Sequence, residues 1–249
     1  MQKALKFFII ISIWLINSII YAGENDYIIP YSKLLKNYVS KGIKEGIETT
    51  LVDYDSWQND VNHVQAMQSL LVVNPGRFNA EEKKSFWINA YNLLTIDLII
   101  NSTERRSIKN LGTIFRSPWK KYSWKINGKN YTLDEIEHDI LRPMGDARIH
   151  MAINCSAISC PDLLNKPYMA DNLDQQLDYQ VILFLKNPTK GVKITRAGLE
   201  ISRIFKWFVK DFGGNEALEK FIFGRLNMDF TTETSIKYLD YNWNLNIKK

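Results

Sequence analysis

The sequence of 249 residues has only two cysteines, no block of basic residues, and no internal repeat, low-complexity tract or Pro/Gly/Ser-rich linker. Without a repeat or linker nothing marks a domain boundary, so a single domain over residues 23–249 is predicted. Without a basic block, no nucleic-acid partner is predicted. The two cysteines are five residues apart with one histidine nearby, which lacks the usual zinc pattern. We therefore predict no metal site and no cofactor.

Residues 1–22 are predicted to be a secretory signal peptide. Lys3 and Lys6 precede the apolar run Phe7–Ile20, and the small residues Ala22 and Gly23 follow it. The run is shorter than the ~20 apolar residues that a membrane span needs, which favours cleavage over anchoring. Loss of this segment would lower the formal net charge from +5 to +3. We expect a periplasmic or secreted chain without a stable membrane anchor.

A buried helix is predicted over Ser85–Ile100, the least polar segment after the signal peptide. Asn79 precedes it as a candidate N-cap, with acidic residues in the first turn. Asn89 and Asn92 are three residues apart on this helix and therefore share a face. Each carboxamide needs partners, since a buried polar group without them costs about 1–3 kcal/mol. The pair either clamps a neighbouring loop or binds a ligand.

Alternating segments on both sides of Asn127-Gly128 and of Ala197-Gly198 predict two β-hairpins. A short run over 148–154 is compatible with a buried strand. Because helices and strands do not alternate regularly, the fold class is α+β, a mostly helical single domain with short β-hairpins or a small antiparallel sheet. Further helices are predicted over Tyr31–Val39, Val61–Val73, Leu133–Leu141, Asn172–Leu185, Ile204–Phe212 and Glu216–Leu226.

A second polar group, Glu137-His138 with Arg142, lies on the predicted helix after the first hairpin. Neighbouring residues on a helix point about 100° apart, so Glu137 and His138 do not pair directly. His138 and Arg142 are four residues apart and share a face. A lone histidine on a helix is more often structural, but the chain has only three histidines, which favours a functional role.

Both cysteines lie in the segment 150–161. In an oxidising compartment Cys155 and Cys160 can close a small loop as a disulfide, and the competing interpretation is a reactive thiol. Pro161 resembles the first residue of a helix, where the pKa of a preceding thiol would be lowered. If residues 150–154 are extended, His150 points away from Cys155. His138 is then the first choice of base.

Four blocks of this sequence resemble the domain-of-unknown-function family DUF547. Ser156 stands where this family is expected to have glycine, and Phe208 where tyrosine is common. The resemblance implies that the Asn pair, the Glu-His pair and the segment 150–160 belong to one site, but it brings no activity with it. The matching blocks are Phe86–Ile96, Leu133–Arg142, Arg148–Cys155 with Ser159–Pro161, and Ile204–Phe208 with Asp211–Phe212.

Two functions remain open. The first is a thiol-dependent enzyme that carries out acyl transfer or hydrolysis on a peptide-like or small thiol substrate. Its catalytic residues would be Cys155, Cys160, His138, His150 and Glu137, with Asn89 and Asn92 holding the substrate or an oxyanion. The alternative is a non-catalytic exported module that binds a small-molecule or peptide-like ligand. In that module a Cys155–Cys160 disulfide closes the loop, and the asparagines, the histidines and Arg142 contact the ligand.

Overall fold

The computed structural model describes residues 26–228 and 235–248, so the predicted signal peptide lies outside the described residues. The described chain begins with α1 (Ile28–Tyr38), the strands β1 (Val39–Lys44) and β2 (Ile47–Val52), α2 (Tyr54–Gln58) and α3 (Val61–Val72). Two predicted helices are confirmed by α1 and α3. The β1–β2 hairpin is not predicted from the sequence, because its turn is Glu45-Gly46 rather than Asn-Gly. Both turn residues nevertheless have positive φ, as a tight hairpin turn requires.

Helix α4 (Ala80–Ile100) confirms the predicted buried helix. Asn79 caps it: its Oδ1 accepts from Glu82 N–H, and the Glu82 carboxylate accepts from Asn79 N–H, both at 2.9 Å. From Ser85 onwards every residue except Asp97 is buried. A helix that is apolar on all sides needs protein on all sides, so the other elements pack around α4.

The elements that follow α4 bring the first predicted hairpin and the Glu-His pair together. Asn127 and Gly128 have positive φ, and the hairpin is confirmed. The predicted helix over Leu133–Leu141 is α-helical only in its first turn. The rest, including Glu137 and His138, is a π-helix, a rare form that is frequent at functional sites. The elements are α5 (Pro118–Lys121), β3 (Ser123–Ile126), β4 (Lys129–Thr132), α6 (Leu133–Glu135) and the π-helix Ile136–Leu141.

The predicted strand over 148–154 is wrong. Residues Ala147–Met151 form a 3₁₀-helix, and the chain then bends into the cysteine loop. The Asp146 carboxylate caps this turn by accepting from Arg148 N–H at 3.1 Å. The apolar run is buried, but within the part of the chain that the structure describes no strand pairs with it. Burial alone therefore does not distinguish a strand from a short helical turn.

The C-terminal half builds a second, smaller group of elements. The predicted hairpin over Val192–Ile201 is confirmed, and the strand Ile236–Tyr238 then pairs in parallel with its second strand, Gly198–Ile201. Gly198 is required there, because an added Cβ would lie 2.1 Å from the carbonyl oxygen of Ser235. The predicted helix over Ile204–Phe212 is shorter than expected and ends at Trp207. The elements are α7 (Leu173–Leu185), β5 (Val192–Thr195), β6 (Gly198–Ile201), α8 (Arg203–Trp207), α9 (Asn215–Leu226) and β7 (Ile236–Tyr238).

The structure thus confirms the α+β class, with mostly helical elements and small sheets of two or three strands. The buried apolar residues form a larger cluster around α4 and a smaller one among α7, α8, α9 and the last sheet. Ile149 and Met151 are two residues apart and belong to different clusters. Within the described residues, no helix combines the length and apolar character that a membrane crossing requires.

The two asparagines of α4 each clamp a separate loop. Asn89 donates from Nδ2 to the carbonyl of Tyr168 at 2.8 Å and accepts from Tyr168 N–H at 2.9 Å. Asn92 donates to the carbonyl of Ala152 at 3.0 Å and accepts from Asn154 N–H at 2.7 Å. Each side chain thereby satisfies buried backbone groups that have left regular secondary structure.

We predict that Asn92→Leu lowers the free energy of unfolding by about 1–3 kcal/mol, since it leaves two buried backbone groups without partners. Asn89→Leu should cost a similar amount for the same reason. The matched control is Asn165→Leu, at an exposed position, which should change stability by less than about 0.5 kcal/mol. Urea unfolding of the three variants measures the difference. Equal midpoints for all three would contradict the clamp.

Candidate functional site

A cavity of about 210 Å³ lies where α4, the π-helix, α8, the cysteine loop and the C-terminal segment meet. Its wall is mainly aromatic, and its acidic side chains are Asp134 and Glu137. Among the described residues that line it there is no lysine or arginine. The lining residues that matter below are Tyr91, Trp119, Asp134, Glu137, His138, His150, Cys155, Cys160, Trp207, Phe208, Tyr241 and Trp243.

Glu137 is the carboxyl group whose protonation the cavity alters most. Tyr91 donates its hydroxyl to Glu137 Oε2 at 3.1 Å. Burial raises the pKa of Glu137 to about 7, against the opposing effects of the Tyr91 hydrogen bond and the Arg142 charge. A carboxyl group with such a pKa exists in both protonation states near neutral pH. It can therefore accept or donate a proton at the cavity wall.

Arg142 fixes the tautomer of His138. Arg142 Nη1 lies 3.1 Å from His138 Nδ1. A guanidinium only donates hydrogen bonds, so Nδ1 must be the unprotonated acceptor and the proton resides on Nε2. Burial, aided by the charges of Arg142 and Lys120, lowers the pKa of His138. The sequence named His138 as the first choice of base, but its basic nitrogen is engaged by Arg142. Glu137 is better placed for that role.

Asp211 contacts His150 directly and is linked to His138 through Arg142. It pairs with Arg142 in a two-pronged arrangement, with Nε to Oδ2 at 2.7 Å and Nη2 to Oδ1 at 2.8 Å. His150 Nε2 lies 2.7 Å from Asp211 Oδ2. Burial lowers the pKa of His150 to about 4, so at neutral pH its uncharged ring donates to the carboxylate. Its ring stacks on Phe208 at 3.9 Å between centroids. His150 is thus held on two sides.

Cys155 and Cys160 form a disulfide in the cavity wall, and the described residues contain no free cysteine. Cys160 is buried, whereas Cys155 is partly exposed. Tyr241 donates its hydroxyl to Cys160 Sγ at 3.1 Å, and the same oxygen lies 3.5 Å from Cys155 Sγ. No helix begins at Pro161, so the expected lowering of a thiol pKa by a helix start is wrong.

Asn154 holds the cysteine loop closed independently of the disulfide. Its Oδ1 accepts from Ser156 N–H and its Nδ2 donates to the carbonyl of Pro161, both at 2.7 Å. The loop needs Ser156 at a φ of +63°, which explains the expectation of glycine at this position. The residues after Ser156 pair with the C-terminal segment, as in the hydrogen bond from Ile158 N–H to the carbonyl of Asn244 at 2.8 Å.

The structure brings only part of the predicted set together. Glu137, His138, His150, Cys155 and Cys160 line the cavity. Asn89, Asn92 and Arg142 do not line it, and their side chains bind protein groups instead. In the described residues no three or more His, Cys, Asp or Glu side chains are grouped so as to hold a metal ion.

Residues 75–185 match the model of a family described as a protein of unknown function, DUF547. This segment of the chain is therefore similar to the DUF547 family. The match confirms the resemblance read from the sequence. No curated protein and no solved structure has a significant match to the chain.

The DUF547 segment supplies most of the polar groups of the cavity, from Tyr91 on α4 to the disulfide. The aromatic wall comes largely from beyond it. Trp207 lies on α8, and Tyr241 and Trp243 lie on the C-terminal segment, with their ring centroids 4.6–5.6 Å apart. Sequence reasoning missed these residues and Trp119, although Tyr241-Asn242-Trp243 is a conspicuous aromatic pair. Asp211 stood in a matching block but was not predicted to belong to the site.

A pH-dependent stability should follow from Glu137. Its pKa is higher in the folded chain than in the unfolded chain, so its contribution is fully present below about pH 4.5 and lost as the pH rises through about 7. Glu137→Gln, which mimics the protonated form, should remove this component. Between pH 5 and 8 the stability of the wild type relative to this variant should fall by about 2 kcal/mol.

Urea unfolding at the two pH values measures this change, and Asp139→Asn, at an exposed site, is the matched control. The charged groups that act on the Glu137 carboxylate are Arg142, Asp134 and Asp211. A constant difference between wild type and Glu137→Gln would show that the carboxyl is not desolvated.

The assignment of His138 can be tested by nitrogen NMR. In the wild type at pH 7, Nδ1 should have the chemical shift of an unprotonated ring nitrogen and Nε2 that of a protonated one. Arg142→Gln should raise the pKa of His138, because a cation that opposes its protonation is removed. The remaining charged neighbours are Asp134, Lys120 and Asp139. A wild-type ring with the proton on Nδ1 would contradict the assignment.

Proposed function

We propose that the cavity binds the organic cation of a small or peptide-like ligand, such as an amine, a guanidinium or a quaternary ammonium group. The observation that carries this proposal is the composition of the wall, with several aromatic faces, acidic side chains and, among its described residues, no lysine or arginine. Aromatic faces attract cations through their quadrupole. A volume of about 210 Å³ accommodates one such group rather than a drug-sized ligand.

The aromatic wall already contacts one cation from the protein itself. Lys109 Nζ lies over the ring of Trp243 at 4.1 Å from the centroid. Trp207 is 45% exposed, an unusual fraction for an indole, and lines the same cavity. An exposed indole next to one that already contacts an ammonium group supports a cation as the ligand.

The two carboxyl groups of the wall differ in the partners that they already have. Asp134 lies 3.6 Å from Lys120 and 3.7 Å from His138, so it already has basic neighbours. Glu137 has the Tyr91 hydroxyl as its hydrogen-bond donor, and no basic group of the described chain lies within ion-pair distance. A ligand cation would supply a positive charge at ion-pair distance from this partly buried carboxylate, and binding should favour ionised Glu137.

Acyl transfer or hydrolysis by a thiol receives less support. It requires a thiolate, and in the described structure both sulfurs are bonded to each other. The base expected from the sequence, His138, is also engaged by Arg142 through Nδ1. The proposal is therefore the binding alternative, with the cavity rather than the asparagines or Arg142 as the contact surface.

Choline and its neutral isostere 3,3-dimethylbutan-1-ol test the proposal. Calorimetry and tryptophan fluorescence should show that choline binds more tightly and that its affinity rises between pH 6 and 8 as Glu137 ionises. Glu137→Gln and Trp207→Ala should each weaken choline binding about tenfold, since a cation–π contact or a partly desolvated ion pair contributes about 1–2 kcal/mol. Asp139→Asn is the control and should bind like wild type. Equal affinity for the two isosteres would refute the proposal.

A further inference from the structure

We infer that the Cys155–Cys160 disulfide undergoes thiol–disulfide exchange with a small thiol that enters the cavity. This activity goes beyond cation binding and does not depend on it. The inference rests on three observations. The disulfide lines the cavity, two hydrogen-bond donors point at one of its sulfurs, and the loop is held closed by other contacts.

The two sulfurs are not equivalent. Cys160 Sγ accepts from the Tyr241 hydroxyl and from the backbone N–H of Cys155, both at 3.1 Å. Both donors would stabilise a thiolate on Cys160 more than a neutral sulfur, because hydrogen bonds to an ionised acceptor are stronger. A sulfur that leaves as a stabilised thiolate leaves faster. Cys160 is therefore the leaving group.

Cys155 is the sulfur that an incoming thiolate attacks. It is partly exposed and lines the cavity, whereas Cys160 is 3% exposed. Glu137, in the same wall, is close to half-ionised at neutral pH and can take the proton of an entering thiol. The exposure of Cys155 and the stability of Cys160 as a thiolate therefore favour the same reaction, in which Cys155 is attacked and Cys160 leaves.

The exchange has two steps. An incoming thiolate bonds to Cys155 Sγ, the Cys155–Cys160 bond breaks, and its electron pair remains on Cys160 as a thiolate. A second thiolate of the same class attacks the substrate sulfur of the mixed disulfide, and Cys155 leaves as a thiolate. The protons lost by the two thiols balance those taken up by the two cysteines. The sum oxidises two thiols to one disulfide and reduces the protein disulfide to two thiols.

The loop should survive this reduction. Asn154 bridges Ser156 and Pro161, and Cys160 N–H donates to the carbonyl of Ala157 at 3.0 Å. Both cysteines therefore remain close together without the covalent bond. A disulfide that only stapled the loop would duplicate contacts that already close it.

The test follows the oxidised full chain with 2-mercaptoethanol, an uncharged thiol, by acid quenching, alkylation and peptide mapping. The mixed disulfide should form on Cys155, and the exchange should be at least about tenfold faster than for the same chain in urea. Tyr241→Phe keeps the ring and removes the hydroxyl, and should slow exchange about tenfold. Tyr179→Phe, at an exposed tyrosine, is the control and should leave the rate unchanged.

Single-cysteine variants give an independent measurement. In Cys160→Ser, the remaining Cys155 should form a stable mixed disulfide with 2-hydroxyethyl disulfide, while Cys160 in Cys155→Ser should react more slowly. A mixed disulfide on Cys160, a rate no faster than in urea, or an unchanged rate in Tyr241→Phe would each overturn the inference. Choline binding by the oxidised chain reports the proposed cation site alone. Normal choline binding without fast exchange would therefore refute the exchange and leave the cation-binding proposal intact.

Discussion

The carboxamide of Asn92 is the contact on which the site depends. It holds the backbone of Ala152 and Asn154, at the point where the chain leaves a 3₁₀-helix and enters the cysteine loop. Asn154 in turn uses its own carboxamide to close the loop around the two cysteines. A polar group on the buried helix α4 thus transmits the rigidity of the core to the cavity wall. Asn89 has the same relation to the loop at Tyr168.

The Arg142–Asp211 pair connects the two halves of the site. Arg142 follows the π-helix that carries Glu137 and His138, and Asp211 lies beyond α8 in the C-terminal half. Each partner also contacts one histidine, so the pair determines the tautomer of both rings. Because the ion pair is partly buried, loss of one member would leave the other without its counter-charge. The pair therefore positions the site, whereas direct contact with a ligand falls to the residues that line the cavity.

Burial gives the cavity its chemical character. Removal of water raises the pKa of Glu137 and lowers those of both histidines, so the site has few fixed charges near neutral pH. A cation would be favoured there by the aromatic faces and by ionisation of Glu137. An uncharged thiol that enters the cavity would reach the disulfide, and Glu137 in the same wall would be available to accept its proton. Glu137 thus takes part in both proposals, although the exchange is argued from the disulfide and the hydrogen bonds around it.

The sequence by itself determined the local structure and much of the polar inventory. Apolar spacing, the Asn79 cap and the Asn127-Gly128 turn are short-range signals, and the helices and hairpins they predict are present. The Glu-His pair and both cysteines were recognised because such residues are rare in an apolar context. Only the tertiary structure decided which of these residues share a cavity. The 148–154 run became a 3₁₀-helix because its neighbours offer no strand to pair with. Tyr241 reaches the disulfide, and Trp243 the same cavity, through pairing between the cysteine loop and a segment more than 80 residues away. Long-range contacts of this kind depend on the packing of the whole chain, and no local pattern encodes them.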